Sequence, residues 1–255
     1  GNLDASAAGT VGGSIALGAS ADVLFGTLTA ASGDFTVTAG NGITFDRAQA
    51  SGAIRMNGAR IAGGDASAGG LIALTAGQDM TLGQIDAGGD VTATASGTFA
   101  AEQVSASQSG TGLVDIAAVN GISLRTLVGN SARLAASGGA VSVSVDINMT
   151  DLVEAAGQSV LLRSTHDLAA TANASAGNID IATTDDLDVR SAAAATGDIR
   201  LASTGGVATV ANVSAVASST GRGGNVDLAA DENLNVAGPV TAAANLAMRS
   251  GERTT

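Results

Sequence analysis

The sequence predicts an all-β protein, a right-handed parallel β-helix of about twelve coils, each of about 20 residues and three short strands. Three observations carry that reading. Apolar residues alternate with polar or small ones at period two, the alternation restarts at near-constant intervals, and the composition is rich in Gly and poor in aromatics.

Of 255 residues, 36 are Gly, and Cys, Trp and Tyr are absent. The aromatic side chains are Phe25, Phe35, Phe45 and Phe99, Pro239 is the single proline, and all 11 basic residues are Arg. A globular core of this size ordinarily buries several large aromatics. Here the apolar volume must come from Ile, Leu, Val and Ala, which suits a thin core of stacked layers. A net charge of −12 repels phosphate backbones, so nucleic acid is not expected as a partner. The same charge disfavours anionic lipid surfaces. No apolar run reaches the length of a membrane-spanning helix, so no membrane insertion is expected. Without Cys, a disulfide-stapled small fold is excluded.

The repeat starts from a small or polar anchor residue followed by x-φ-x-φ, where φ is apolar. Anchors fall at Gly13, Gly33, Gly52, Gly70, Gly89, Gly112, Ala132, Gln158, Gly177, Gly197, Gly224 and Ala244, with spacings between 18 and 27 residues. Two residues after them stand Ile15, Phe35, Ile54, Ile72, Val91, Val114, Leu134, Val160, Ile179, Ile199, Val226 and Leu246, which form the predicted core column. Four residues after the anchors the column is again apolar, from Leu17 to Met248. Period-two alternation means strand.

A second alternating pair follows in most repeats, as in Val23/Phe25, Ile43/Phe45, Met80/Leu82 and Leu187/Val189. A third, weaker one includes Leu28, Ile85, Val104, Val213 and Val240. Three short strands separated by Gly, Asn, Asp and Ser turns make a triangular coil. One coil cannot bury its own apolar side, and stacking closes a continuous core. Phe25 and Phe45, one coil apart, are expected to stack. A helical alternative fails because the apolar period is two and so many Gly would destabilise helices.

The long intervals predict loop excursions at 137–158 and 211–223, on a chain otherwise read as one continuous β-helix over 1–255. Residue 1 already enters the pattern, which predicts a segment of a longer repeat rod. Neither end reads as a cap, so end-to-end self-association is a possible consequence of exposed strand edges.

The strings GNIDIATTDDLDVRSAAAATGDIRLAS (177–203) and GGNVDLAADENLNVAGPVTAAANLAMRS (223–250) resemble filamentous haemagglutinin repeats. Their pattern is G-x-[IV]-x-[LI]-x-A-x-x-[DN]-[LI]-x-[LV], and repeats of this kind extend over nearly the whole chain. The resemblance implies a large two-partner-secretion exoprotein of a Gram-negative bacterium. Such a protein is exported through an outer-membrane β-barrel transporter and acts at the cell surface as an adhesin, biofilm component or toxin stalk. The secretion domain of the family carries NPNG-type motifs. Here NGI at 41–43 and 120–122 lacks the preceding Asn-Pro, which places the segment in the repeat shaft.

Several constellations have both a structural and a chemical reading. Asp180, Arg200 and Asp227 fall at the solvent-facing position of three consecutive coils. As a surface ion-pair ladder they contribute roughly 0.2–1 kcal/mol per pair. An Arg flanked by carboxylates on a β-helix also resembles the site of polysaccharide lyases, but this chain has no Lys, Tyr or Trp to hold an acidic sugar chain. Asp185, Asp186 and Asp188, and Asp231 with Glu232, match no calcium-loop spacing and read as solvated turns. His166 is alone and cannot supply a histidine-rich metal site, and it reads as a turn residue. Thr-x-Thr at 27–29, 36–38 and 92–94 does not recur in consecutive coils, as an ice-binding face would require.

These observations lead to a non-catalytic, secreted, surface-exposed adhesin shaft without metal or cofactor, whose host-cell, glycan or matrix ligand is not written in the residues. A polymerising subunit of an extracellular filament or matrix is the alternative, with a polysaccharide-acting β-helix enzyme behind it.

Overall fold

The computed structural model describes residues 1–5, 8–107, 112–221 and 223–254. Its regular elements are all strands, with no helix among the described residues. None, therefore, is a helix long and apolar enough to cross a membrane. Every strand pairing is parallel, and the chain is a β-solenoid of about 12 turns at roughly 20-residue spacing. The described residues cluster into two compact units: an N-terminal unit of residues 1–124 with 128–130, and a C-terminal unit of residues 125–127 with 131–255.

In the N-terminal unit each turn runs a short straight strand into a long bent one. The short strands Ile15–Ala19, Phe35–Ala39, Ile54–Gly58, Ile72–Ala76, Val91–Ala95 and Leu113–Ala118 stack in one sheet. Their register joins Ile15, Phe35, Ile54, Ile72, Val91 and Val114 into a single ladder, as the spacing predicts. All six are buried. Each large side chain withdrawn from water contributes about 1.5–3 kcal/mol, so this column alone is a major source of stability.

The long strands, such as Val23–Ala30 and Gly42–Ala50, supply the other two sides of the coil. Pairing runs Phe25 to Phe45, skips one position, and resumes at Thr27 to Arg47. At that break Asp46 and Arg47 both face solvent, so the inward phase shifts and the strand turns a corner. The third apolar group read from the sequence is the second arm of this bent strand.

Phe25 and Phe45 stack as expected, with ring centroids 5.2 Å apart and planes within 7°. The next position of that ladder is Gly63, followed by Leu82. A Cβ on Gly63 would lie 2.4 Å from a Phe45 ring carbon, so the ring occupies the space a side chain would need. Glycine is required here by a close approach.

In the C-terminal unit the short strands Val160–Ser164, Ile179–Thr183, Ile199–Ser203, Val226–Ala230 and Leu246–Ser250 form their own ladder, joining Val160, Ile179, Ile199, Val226 and Leu246. Four of these five are buried, but Leu246 is 45% exposed, against the prediction of a core position. Its strand pairs on one edge only, with Val226–Ala230, and its inward side is left open to water.

Leu134 is buried but belongs to a different ladder from Val160. It pairs with Ala155 and through it with Ala172, whereas Val160 pairs with Val141. The expected single column therefore breaks at this point. The reason is visible in 137–158, which is not a loop excursion. It holds the strands Val141–Met149 and Leu152–Gly157, both paired within the sheets. The surplus length is spent on an additional strand, and the anchor pattern resumes on the other side of the coil.

Across the later strands of this unit the bent strand then develops in stages. Leu152–Gly157 has 6 residues, Leu168–Ala174 has 7 and Leu187–Ala194 has 8. The last step is a β-bulge: Ala170 pairs with Val189 but Thr171 pairs with Ser191, leaving Arg190 as the inserted residue. The second predicted excursion, 211–223, is only partly a loop. Val213–Ala215 is a strand in register with Ala192–Ala194, and residues 216–221 and 223–225 carry no strand, with residue 222 outside the described residues.

Candidate interaction surfaces

Inward positions of the short strands differ between the units at one column. In the N-terminal unit the column includes Ala39, Gly58, Ala76, Ala95 and Ala118. In the C-terminal unit it includes the buried hydroxyls Ser164, Thr183 and Ser203. Each hydroxyl joins two coils. Ser164 Oγ donates to Ile147 O at 2.5 Å, Thr183 Oγ1 to His166 O at 2.5 Å, and Ser203 Oγ to Asp185 O at 2.7 Å. Each also accepts a turn amide of its own coil, from His166, Asp185 and Gly206 respectively. Buried polar groups are tolerated when satisfied in this way.

The coil corners are held by a second device. An Asp or Asn just before a strand accepts a backbone N–H from the next coil. Asp34 takes Ala53 at 2.9 Å, Asp79 takes Thr98 at 2.8 Å, Asn178 takes Asp198 at 2.9 Å and Asp198 takes Asn225 at 2.9 Å. The amide of Ala53 and the guanidinium of Arg55 hold Asp34 below its ordinary pKa, and the amide and hydroxyl of Thr98 do the same for Asp79. These caps were missed in the sequence, where Asp and Asn read only as turn formers. Their signal is an Asp or Asn directly before the apolar alternation at coil spacing.

The predicted ladder residues do meet in register: Asp180 beside Arg200, and Arg200 beside Asp227. Their close ion pairs go elsewhere. Asp180 binds Arg163 at 2.5 Å and Asp227 binds Arg249 at 2.6 Å, both diagonally across one coil step. Asp180 Oδ1 is buried without a hydrogen-bond partner. The outer face of these strands thus carries alternating charge from Arg163 to Arg249, with Arg163 and Arg249 not foreseen because each lies two residues off the predicted column.

The acidic turn residues are solvent-facing, and they too serve the corners. Asp186 accepts the amide of Val207 at 2.8 Å, and Asp167 that of Asp186 at 3.1 Å. With Asp151 and Asp188 they line an open groove of about 390 Å³ whose floor includes Met149 and Leu168. Arg190 sits 4.0 Å from both Asp151 and Asp188. Among the described residues no group of three or more His, Cys, Asp or Glu is arranged to hold a metal ion. Asp231 and Glu232 donate their backbone amides to Ser203 O and Gly206 O. His166 lies in a turn with Nε2 3.6 Å from Asp146 Oδ2.

Thr36 and Thr92 share an outward column but are separated by Arg55 and Ala73, while Thr38, Thr75 and Thr94 share the next, interrupted by Asn57. Thr27 and Thr29 lie on a bent strand of the other sheet. Uninterrupted threonine ranks do not form on these strands.

Comparison with protein-family models, with curated proteins and with solved structures finds no match to this chain.

Proposed function

We propose that the chain is a non-catalytic shaft segment of a secreted bacterial surface adhesin of filamentous haemagglutinin type, made by a Gram-negative cell and exported through an outer-membrane β-barrel transporter. The observation that supports this reading is the division of labour along each strand. Inward columns are apolar ladders that stiffen the solenoid, and outward columns are short polar side chains and ion pairs with little relief. Such a surface serves to extend and present. The role assigned is attachment to host cells, glycans or matrix, or biofilm formation. The chain's resemblance to haemagglutinin repeats at 177–203 and 223–250 is the second support.

The test is removal of the chain's coding region from the producing bacterium, beside a strain lacking the transporter. Antibody raised against the chain should label intact wild-type cells and fail to label the transporter mutant. Attachment to epithelial cells or to a coated surface should fall in both mutants. Label confined to the cell interior, or attachment equal to wild type in both strains, would overturn the proposal.

A further inference from the structure

We infer that Asn173 and Asn212 are acceptor sites for N-linked glycosylation, with Asn148 as a third. The sequence contains Asn148-Met149-Thr150, Asn173-Ala174-Ser175 and Asn212-Val213-Ser214, each an Asn-x-Ser/Thr acceptor pattern without Pro at the centre. All three lie in the C-terminal unit. In the N-terminal unit the asparagines Asn41, Asn57 and Asn120 each precede Gly and have no hydroxyl residue two positions on.

The structure gives the three patterns one geometry. The central residue points into the core in every case: Met149, Ala174 and Val213 are buried. Strand alternation therefore sets the Asn amide and the Ser or Thr hydroxyl on the same outward side. Asn173 and Asn212 are exposed, as are Thr150 and Ser175. Asn173 pairs in register with Ala156 on one side and Ala193 on the other. Its neighbours are thus the smallest side chains available, and a sugar on Nδ2 meets no bulk from the adjacent coils. Asn212 occupies the corner between Ala208–Val210 and Val213–Ala215, and its φ of 54° makes it the sole non-glycine with positive φ among the described residues. That conformation, which Asn tolerates better than most residues, turns its side chain out from the bend.

The reaction requires a separate glycosyltransferase and an activated glycosyl phosphate donor. The Asn Nδ2 forms a bond to the sugar's anomeric carbon. The bond from that carbon to the donor phosphate oxygen breaks, the phosphate leaves with the electron pair, and the amide nitrogen gives up one proton to the transferase. This modification is independent of the adhesin reading, since it concerns acceptor geometry only.

The test is peptide mass spectrometry of the protein purified from the bacterium that makes it. Cleavage after Arg yields 134–163, 164–190 and 201–222, which hold one pattern each. Expected is added mass in whole hexose or N-acetylhexosamine units on 164–190 and 201–222, with fragment ions placing it on Asn173 rather than Asn178. Single hexoses point to transfer from sugar nucleotides, and a preassembled oligosaccharide to a lipid-linked diphosphate donor. Either supports the inference. Ser175→Ala should remove the sugar from Asn173 and Ser175→Thr should keep it, with unchanged hydrogen exchange confirming the fold of both variants. Unmodified Asn173 and Asn212, or sugar on asparagines outside the three patterns with these bare, would overturn it.

Discussion

The two units build the same kind of coil from different materials. All four phenylalanines lie in the N-terminal unit, where Phe25 stacks on Phe45 and Phe45 covers Gly63. The C-terminal unit has no aromatic ring in its core beyond aliphatic stacking, and instead threads a rank of buried hydroxyls, Ser164, Thr183 and Ser203, from coil to coil. One unit gains its specificity from shape and the other adds directed hydrogen bonds. In a solenoid each coil contacts only its neighbours, so each device acts locally. Hydrogen exchange read coil by coil is therefore the measurement that resolves them.

The largest expected effect falls on the aromatic stack. Phe45→Ala removes a ring that contacts Phe25 on one side and fills the space over Gly63 on the other, and should cost about 3–5 kcal/mol. Protection should fall in the strands from Val23–Ala30 to Arg60–Ala68 and hold in the C-terminal unit. Loss spread evenly over both units would contradict local stacking. The reciprocal change, Gly63→Ala, drives a methyl against the ring and should destabilise by roughly 1–3 kcal/mol. Adding Phe45→Leu to Gly63→Ala should recover part of that loss, since the shorter side chain leaves room. No recovery would mean that the backbone around Gly63, rather than the ring, sets the requirement.

The hydroxyl rank is tested by Thr183→Val, which keeps shape and deletes the donor. His166 O and the Asp185 amide then lose a buried partner, an expected cost of about 1–3 kcal/mol. Faster exchange should centre on the Asp185 turn. The contrasting variant Ala76→Ser places a hydroxyl in the equivalent column of the N-terminal unit, among Gly58 and Ala95. If both variants left exchange unchanged, the rank would be a passive substitute for alanine.

Much of this was legible because a strand's period is short and a coil's spacing repeats. Ile15 to Val114 could be aligned by alternation alone. The break between Leu134 and Val160 could not. Leu152–Gly157 shows the same inward alternation as an anchor strand, and nothing in alternation tells which side of a coil a strand occupies. Asp180, Arg200 and Asp227 were placed in register correctly, yet their ion pairs were misassigned, because Arg163 and Arg249 reach diagonally over a distance set by side-chain length. Ser164, Thr183 and Ser203 went unrecognised as core, since a hydroxyl before Asp or Gly looks like turn chemistry until its carbonyl partner in the neighbouring coil is known.

The smallest expected effect separates corners that titrate from corners that do not. Asp34 and Asp79 cap the amides of Ala53 and Thr98 and have depressed pKa values from those hydrogen bonds, whereas Asn178 and Asn225 cap the amides of Asp198 and Asn245 with a neutral carbonyl. A carboxylate whose folded pKa lies below its unfolded value of about 3.9 stabilises the fold above that value, and the contribution is lost as pH falls through the depressed folded pKa. Relative to intrinsic rates, exchange at Ala53 and Thr98 should therefore accelerate on acidification while exchange at Asp198 and Asn245 holds. Asp34→Asn and Asp79→Asn should preserve the caps and abolish the acid response, because Asn supplies the same acceptor geometry without a titrating proton. Equal acceleration at all four amides would locate the acid sensitivity in the coils as a whole and remove the corner carboxylates from the account.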